Sequence, residues 1–444
     1  MGRSRRTRVV HKNSSKLNTI LLFILILLVV CACIFFIINS SRDGNSNLLG
    51  SNNSENNNNS EPASSDDVKE EEPPEDTKIT MSVIGDIMCH NSQYNDAYVK
   101  ETDSYDFSYV FSDIKYYLQI ADIAVGNLET TFAGKSVGYS NYPTFNTPEQ
   151  LAYDLKRIGL DVLSTANNHS LDKGYKGLVS TLNYLDEADI SHTGTYASPE
   201  DQNKVLIKNV KGISMAFLSF TYGTNGIPVP SGKDYCVNLI DEDLILKQIE
   251  LAKEQNPDMI CVFMHWGVEY VTKPNKTQQN LADFLFKNGV DVILGGHPHV
   301  LQPMEKRQIT LEDGTTKDGF IIYSLGNFVS GQTKQSTKSS AILTLGITKN
   351  GETGKITIDS AEYVPVYMYR GPAGSLQRYK LLDIETSIAN YETGKDTSLG
   401  KTNYNTLKTV LSDIKKILGE EIVAVKETDS SDPTYNDIIN NNGE

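Results

Sequence analysis

Val290-Asp-Val-Ile-Leu-Gly-Gly-His-Pro-His-Val-Leu-Gln-Pro303 is the stretch on which the predicted fold depends. Its apolar, β-branched beginning is typical of a buried strand, and the paired glycines that follow allow a sharp turn. His297 and His299 emerge at that turn and face the same side, because they lie two residues apart on an extended segment that Pro298 stiffens. A single histidine there would more often be structural, whereas a pair suits a metal ion.

The same pattern, a buried strand that ends in polar residues, recurs from Lys78 onwards. The predicted strands are Ile79–Ile84, Ile123–Val125, Asp161–Thr165, Lys204–Val210, Ile213–Phe220, Met259–Met264, Phe320–Leu325, Ala341–Ile347 and Lys355–Met368. The predicted helices are Tyr109–Ile120, Pro148–Ile158, Tyr175–Ala188, Asp243–Glu254 and Thr277–Asn288. Such alternation predicts an α/β fold in which polar residues collect at the carboxyl ends of the strands.

Local signals refine these predictions at three places. Thr147 before Pro148 is typical of a helix N-cap, and Lys211-Gly212 between two strands predicts a hairpin turn. Tyr404–Leu418 has the apolar spacing of an amphipathic helix, which either packs on the domain or offers a face to a partner.

Composition limits the class of protein. With 444 residues and 39% hydrophobic residues, the chain can bury a sizeable core. The formal net charge is −15, although residues 1–16 are basic, so nucleic-acid binding through a broad basic face is not expected. The five cysteines give no disulfide framework, since two lie within residues 17–39 and Cys89, Cys236 and Cys261 are an odd, widely spaced set.

Residues 17–39 predict a transmembrane anchor, since an apolar run of this length matches a bilayer and exceeds the usual core of a signal peptide. The basic flank before it predicts a single-pass protein in the cell membrane, with a cytoplasmic N-terminus and an extracellular main domain. A cleaved signal and a lipid-modified Cys33 are the alternatives. Residues 40–77, rich in Asn, Ser and Glu, predict a disordered linker. The main domain is then 78–369, and 370–444 form a helical extension with a loose tail.

Several side chains at or near the predicted strand ends could bind metal. They are Asp86, His90, Glu129, Asn168, His265, His297 and His299. For each acid alone, a helix cap or a turn is an equally good explanation. Together, however, carboxylates, an amide and imidazoles form a mixed oxygen and nitrogen ligand set that suits manganese, iron or zinc. A pair of divalent ions there would activate water for hydrolysis or transfer at a phosphoryl or similar centre.

Six ordered motifs between Ile79 and Tyr369 resemble those of the CapA family of poly-γ-glutamate capsule proteins. They are Gly85-Asp-Ile-Met88, Gly126-Asn-Leu-Glu129, Ala166-Asn-Asn-His-Ser-Leu-Asp-Lys-Gly174, His265-Trp-Gly-Val-Glu269, Gly296-His-Pro-His299 and Tyr323-Ser-Leu-Gly-Asn-Phe328. That family is similar to the calcineurin-like metallophosphatases. The resemblance therefore implies a four-layer α/β/β/α sandwich, tethered to the membrane with its domain outside.

The resemblance also implies a role for each site residue. Asp86 and His299 would bind a first metal, Glu129 would bridge, and a second metal would be held by Asn168, His265 and His297. His169 takes the place of the histidine that protonates the leaving group. The sequence departs from the metallophosphatases where Ile87 and Met88 follow Asp86 and the nearest histidine is His90, and where Asn127 stands in place of the usual bridging aspartate.

Five further residues are expected to contact substrate or to orient a ligand: Asn127, Asn167, Trp266, Glu269 and Asn327. Trp266 is equally well explained by core packing, and Asn327 by a turn. His192 is expected to be structural.

These expectations lead to one leading function and two alternatives. The leading one is a membrane-anchored protein that takes part in poly-γ-glutamate capsule synthesis, export or processing. Its expected partners are the subunits of a capsule complex and an anionic polymer, with no nucleic acid. The alternatives are an extracytoplasmic metal-dependent phosphoesterase and a non-catalytic structural subunit of an export complex. The sequence leaves open whether the protein is an enzyme.

Overall fold

A computed structural model describes residues 74–310 and 314–419, together with the backbone of 424–426. The predicted cytoplasmic tail and transmembrane anchor, most of the predicted linker, and the loose tail beyond residue 426 lie outside the described residues. Within the described residues, no helix is both long enough and apolar enough to cross a membrane.

The strands cover much of the described chain. They are β1 (Thr77–Ile87), β2 (Tyr98–Val99), β3 (Ser104–Tyr105), β4 (Ile123–Leu128), β5 (Val162–Ser164), β6 (Ser191–Thr193), β7 (Leu206–Val210), β8 (Ile213–Thr221), β9 (Met259–His265), β10 (Val292–Gly296), β11 (Leu301–Thr310), β12 (Thr316–Leu325), β13 (Asn327–Val329), β14 (Ser339–Lys349), β15 (Ile356–Arg370), β16 (Tyr379–Asp383) and β17 (Ala424–Lys426).

The α-helices are α1 (Asn91–Asp96), α2 (Lys115–Gln119), α3 (Gln150–Arg157), α4 (Gly174–Glu187), α5 (Pro199–Gln202), α6 (Glu242–Lys253), α7 (Lys276–Lys287), α8 (Ile384–Glu392) and α9 (Gly400–Leu418). Short 3₁₀ helices lie at Ser108–Phe111, Lys135–Val137, Asp234–Cys236 and Gln335–Lys338. Helix α6 begins one residue before the predicted start at Asp243, because the Asp241 carboxylate caps it by accepting a hydrogen bond from the Leu244 backbone.

Two large sheets organise these elements. One has the order β16-β15-β14-β1-β4-β5-β6, with β13 beside β1, and the other has the order β17-β11-β12-β10-β9-β8-β7. Strands β1, β4, β5 and β6 are parallel, as are β8, β9, β10 and β12. Each sheet therefore brings the carboxyl ends of several strands to one edge. The expected α/β fold is confirmed.

Apolar side chains form separate clusters on the faces of the sheets. One cluster joins residues of both sheets, such as Val83 and Phe217. A second packs the other face of the first sheet against helices, with Leu155 of α3 among its members, and a third includes Ile249 of α6 and residues of the second sheet. Helices thus pack on a face of each sheet, while the two sheets pack on each other.

The C-terminal helix α9 packs on the domain. Its buried residues Leu407, Val410, Ile414 and Leu418 belong to the cluster that joins the two sheets. Of the two alternatives that the amphipathic spacing left open, packing is therefore the one observed.

Two local predictions were wrong. Residues 109–120 do not form one helix, because a turn at Ser112–Asp113 separates a 3₁₀ helix from α2; the Ser112 hydroxyl bonds to Asp113, a local contact that competes with helix formation. Thr147 is not the N-cap of α3, whose cap position is Glu149, since the Thr147 hydroxyl pairs with that of Thr130 at 2.7 Å. The hairpin turn is confirmed, with positive φ angles at Lys211 and Gly212.

Candidate metal centre

Strand pairing brings the predicted site residues of both sheets together. In the first sheet, Asp86 of β1 lies in register with Asn127 of β4 and with Asn327 of β13. In the second, His265 at the end of β9 pairs with Gly296 at the end of β10. His297 and His299 follow directly, so polar side chains from both sheets meet where the parallel strands end.

Asp86 connects the two sheets. Its Oδ1 accepts a hydrogen bond from Asn127 Nδ2 at 2.8 Å, and its Oδ2 accepts one from the His297 backbone at 3.1 Å. The close approach needs a glycine at residue 296, because a Cβ there would lie 2.5 Å from Asp86 Oδ1. The fully buried carboxylate is thus held by both sheets.

Glu129 is the residue that most clearly lacks a partner. It directly follows β4, and its side chain is completely buried. Neither carboxylate oxygen has a hydrogen-bond partner within the described chain, although Oε1 lies 3.5 Å from His265 Nε2 and 3.9 Å from His299 Nε2. A buried carboxyl group without hydrogen bonds costs free energy unless something else binds it.

The imidazole of His265 is surrounded by amides. Its Nε2 lies 2.7 Å from Asn168 Oδ1, and its Nδ1 lies 3.4 Å from Asn127 Nδ2. Asn168 in turn donates to Asn225 at 3.1 Å, which fixes its orientation. Asn168 therefore lies beside the cluster, with its oxygen directed at His265.

His299 is held by the neighbouring sheet. Its Nδ1 lies 3.0 Å from Asn327 Oδ1 and 3.5 Å from Asp86 Oδ2. Its Nε2 faces Glu129 and lies 4.0 Å from Glu269, whose side chain is 44% exposed. Asn327 thus orients the ring, as a hydrogen-bond acceptor behind a metal-binding histidine commonly does.

His297 lies in an uncommon backbone conformation. Its φ is +94°, a left-handed value that a residue with a side chain seldom adopts, and that of His299 is +59°. Buried His297 Nδ1 has no hydrogen-bond partner among the described residues. Such strain, held in place by surrounding structure, is typical of a functional site.

Burial and neighbouring charges set the pKa values of these groups. Burial alone would raise the pKa of Asp86, but the hydrogen bond from His299 and the nearby histidine charges lower it to about 2. Burial, and then the charge of Asp86, raise the pKa of Glu129 well above its usual value. Burial lowers the pKa of His265 to about 3 and that of His297 to about 2.

His299 differs from the other two histidines. Burial would lower its pKa, but the charge of Glu129 and the bond to Asp86 raise it to about 9. In the absence of an ion, this imidazole is therefore protonated at neutral pH and partly neutralises the two carboxyl groups.

In the part of the chain that the structure describes, two groups of side chains could hold a metal ion: Glu129 with His297 and His299, and Asp86 with Glu129 and His265. In each group the ligand atoms lie within 4.8 Å of one another, and Glu129 belongs to both. We call these residues the histidine–carboxylate cluster: Asp86, Glu129, His265, His297 and His299. The unpartnered atoms of Glu129 and His297 fit a bound cation, which would supply the interactions that they lack.

His169 lies beside the cluster without joining either ligand group. Its Nδ1 lies 2.7 Å from Asp172 Oδ2, and its ring packs against Phe145 with 4.8 Å between ring centroids. The same Asp172 oxygen accepts the Phe145 backbone N–H at 2.6 Å. A buried imidazole oriented by a carboxylate is the arrangement that a proton donor needs.

The remaining predicted site residues lie in different surroundings. His90 is outside both ligand groups, since its Nδ1 accepts a hydrogen bond from the Gly331 backbone at 3.0 Å. Asn167 connects the loop after β5 to the end of β4, donating to Leu128 O at 2.7 Å. Trp266 is buried in the apolar cluster of the second sheet and donates to Tyr323 O at 3.0 Å, which favours the core-packing alternative. His192 lies away from the cluster, 3.2 Å from Asp186.

Sequence reasoning missed three tyrosines that contact the site histidines. Tyr222 lies 4.5 Å from His297, Tyr270 lies 6.1 Å from His299, and Tyr142 lies 6.5 Å from His169, measured between ring centroids. Tyr222 comes directly after a strand, which is the one signal that could have indicated it. The other two depend on how loops fold.

A sequence model described as "Bacterial capsule synthesis protein PGA_cap" matches residues 80–332, more than half of the chain. The chain belongs to this family. The family's region ends within the loop after β13, so it contains every element that contributes to the histidine–carboxylate cluster.

Two curated relatives of this PGA_cap protein have related descriptions. "Capsule biosynthesis protein CapA" of Bacillus anthracis is 33% identical over 287 residues, which cover 62% of this chain and 66% of that protein. "PGA biosynthesis protein CapA" of Bacillus subtilis is 30% identical, covering 66% of this chain and 74% of that protein.

Solved structures show weaker likeness. The calcineurin-like phosphoesterase YfkN of B. subtilis is 15% identical with a TM-score of 0.40, covering 76% of this chain and 99% of that one. The NAD nucleotidase of Haemophilus influenzae is 14% identical with a TM-score of 0.40, covering 83% of this chain and 67% of that one.

Proposed function

We propose that this PGA_cap protein is a membrane-anchored enzyme that cleaves or transfers a segment of the poly-γ-glutamate capsule polymer at a centre of two divalent metal ions. The polymer is suggested by family membership and by the names of the two Bacillus relatives. The fold that carries the centre is proposed to be the four-layer α/β/β/α sandwich of the metallophosphatases, which agrees with helices on a face of each sheet.

Glu129 is the single observation that carries the proposed centre. A buried carboxylate with two unpartnered oxygens, shared by two ligand groups, has the position of a group that bridges two ions. The mixed carboxylate and imidazole donors suit manganese, iron or zinc. When bound, such ions lower the pKa of a water molecule and stabilise developing negative charge.

The chain's own residues supply the remaining chemistry. Asn327 and Asn168 fix the rings of His299 and His265, so the ligand set is organised before substrate arrives. His169, held by Asp172, would donate a proton to the leaving group. For an amide bond between glutamates, that group is an amine, which leaves only when protonated.

Membrane anchoring and extracellular placement form part of the proposal. They are supported by the apolar run at residues 17–39 and by the basic flank before it. Through this anchor the protein would stay beside the other subunits that make and export the polymer. Fractionation of cells that express the full chain, or a variant lacking residues 1–39, tests this: only the full chain should be recovered with membranes.

The enzymatic proposal is tested with the full-length chain, extracted in mild detergent and loaded with manganese, iron or zinc in turn. Poly-γ-glutamate is the substrate, and its chain length and newly formed amines are the measurements. We expect the loaded protein to shorten the polymer, and we expect neither the chelated protein nor Glu129→Gln to do so. Glu187→Gln is the matched control, because it makes the same change on the exposed end of α4.

Two other results would contradict the proposal. Hydrolysis of phosphate esters with the polymer untouched would show an extracytoplasmic phosphoesterase instead. Bound metal without hydrolysis or transfer of either substrate class would show a non-catalytic member of an export complex.

A further inference from the structure

Exposed aromatic rings surround the buried cluster. Tyr142, Tyr222 and Tyr270 are 66%, 43% and 42% exposed, and each has its ring against a different site histidine. They come from three different loops, which follow β4, β8 and β9. Exposed rings that are grouped around one site, unlike rings scattered singly over a surface, mark a binding surface. We call these residues the tyrosine rim.

One cation lies on this rim. The Lys334 ammonium is 4.0 Å from the centroid of the Tyr270 ring, the same ring that lies 6.1 Å from His299. Lys334 itself is exposed, so the ring fixes the ammonium while leaving donors free to face solvent. Among the cation–ring contacts in the described chain, this is the one whose ring also contacts a site histidine.

The loop that carries Lys334 is attached to the cluster. Asn327, which orients His299, also donates to Gln332 at 3.2 Å and to the Thr337 backbone at 3.0 Å. Lys334 lies between these two attachment points. Its position is therefore coupled to the geometry of the cluster.

We propose that Lys334 and Tyr270 recognise a substrate carboxylate next to the reacting bond and so select an anionic polyamide chain over a neutral one. This inference rests on the proposed polymer substrate and deepens it by naming the residues that recognise its charge. The tyrosine rings would pack against the flat amide groups of the chain, and the Lys334 ammonium would pair with a side-chain carboxylate.

The charge distribution explains why one well-placed cation matters. The chain carries a net charge of −15, so it repels an anionic polymer at long range. The exposed carboxylate of Glu269 beside His299 adds to this repulsion at the rim. Favourable contact with a carboxylate must therefore come from a local cation, and Lys334 is placed to provide it.

The test measures binding with the full-length protein kept metal-free by a chelator, so that no turnover interferes. The probe is a fluorescently labelled γ-linked glutamate oligomer, and binding is followed by anisotropy at low salt. We expect Lys334→Gln to weaken binding about 5–10-fold, about what is lost when one exposed charge-assisted contact is removed. Lys334→Arg should retain binding, because arginine also packs on an aromatic ring.

Lys338→Gln is the matched control. Lys338 ends the 3₁₀ helix that directly follows Lys334, but its ammonium is 4.5 Å from the ring of Tyr367, which contacts no site histidine in the described chain. The Lys338→Gln variant should bind the oligomer as the wild type does. A γ-linked glutamine oligomer, which has the same backbone and neutral side chains, should bind more weakly and should be insensitive to Lys334→Gln.

The outcomes separate this inference from the function on which it rests. Equal losses in Lys334→Gln and Lys338→Gln, or equal affinity for the glutamate and glutamine oligomers, would overturn carboxylate recognition by Lys334 while leaving the polymer as substrate. Absence of binding of either oligomer to the wild-type protein, both metal-free and metal-loaded, would count against the polymer itself.

Discussion

Two polar clusters in this protein, one partly buried and one fully buried, differ in how completely their charges are paired. Around Arg307, each of the three guanidinium nitrogens donates to a partner: to Asp283, to Glu305 at 3.1 Å and to the Tyr323 hydroxyl at 2.7 Å. In the histidine–carboxylate cluster, both oxygens of Glu129 and Nδ1 of His297 are buried without hydrogen-bond partners.

The difference separates a structural network from a binding site. The Arg307 network joins α7 to β11 and β12 and needs nothing further, so it stabilises the packing of the second sheet. The histidine–carboxylate cluster keeps its unpartnered groups at a cost in stability. Such a cost is expected where a ligand completes the site. The following predictions test that distinction, from the largest expected effect to the smallest.

Glu129→Gln should have the largest effect. The amide keeps the shape but loses the charge that both ligand groups share, so bound metal should fall at least about 100-fold, more than for a group that merely orients a ligand. Elemental analysis of the full-length protein measures this. A chelator should lower the melting temperature of the wild type but not that of Glu129→Gln. Metal content equal to the wild type would show that Glu129 is not a ligand.

Metal affinity should rise with pH. The pKa of His299 is raised to about 9, so without metal its imidazole holds a proton that an ion must displace. Between about pH 6 and about pH 8, affinity should increase up to about tenfold per pH unit for each proton released. The folding stability of the metal-free protein should instead decrease with rising pH, because the stabilisation from protonated His299 is lost as pH rises through about 9.

Calorimetry in buffers of different ionisation enthalpy measures this proton release directly. An affinity that stays constant across the range would contradict the raised pKa of His299.

Arg307→Met should affect stability and leave metal binding unchanged. It removes the cation from a network whose side chains are 15–24% exposed, leaving Asp283 and Glu305 without their partner. We expect the free energy of unfolding to fall by about 1–3 kcal/mol, less than for a fully buried ion pair. Chemical denaturation measures the loss, and elemental analysis should find the wild-type metal content. Loss of metal here would show that the two clusters are coupled.

The sequence predicted the histidine–carboxylate cluster because one geometric rule places it. Parallel strands share an edge at their carboxyl ends, so Asp86, Glu129, His265 and His297 had to approach one another once the strands were identified. The rule does not predict the positions of side chains in the loops beyond the strand ends. His90 lies only four residues beyond Asp86, yet its ring is turned to Gly331 and packs against Phe145.

Features that depend on loops or on long-range pairing were not predictable. The tyrosine rim depends on three loops whose paths no periodic pattern encodes. Strand β11 was missed because Met304 to Thr310 mixes charged and apolar residues, and its burial on one face depends on β12 and α9. The break at Ser112–Asp113 shows how a short local hydrogen bond overrides a helical pattern.

His192→Ala should have the smallest effect and serves as the control for His297→Ala. The carboxylate beside His192 belongs to Asp186, whose side chain is 70% exposed to solvent. The pair contributes little because solvent screens it, so the free energy of unfolding should change by at most about 1 kcal/mol. Like His297 Nδ1, His192 Nδ1 is buried without a hydrogen-bond partner. Among the described residues, however, His192 belongs to neither of the two ligand groups. If the surrounding group rather than the unpartnered atom makes a metal site, His297→Ala loses metal and His192→Ala keeps it. Equal losses would show that the surrounding group does not define the site.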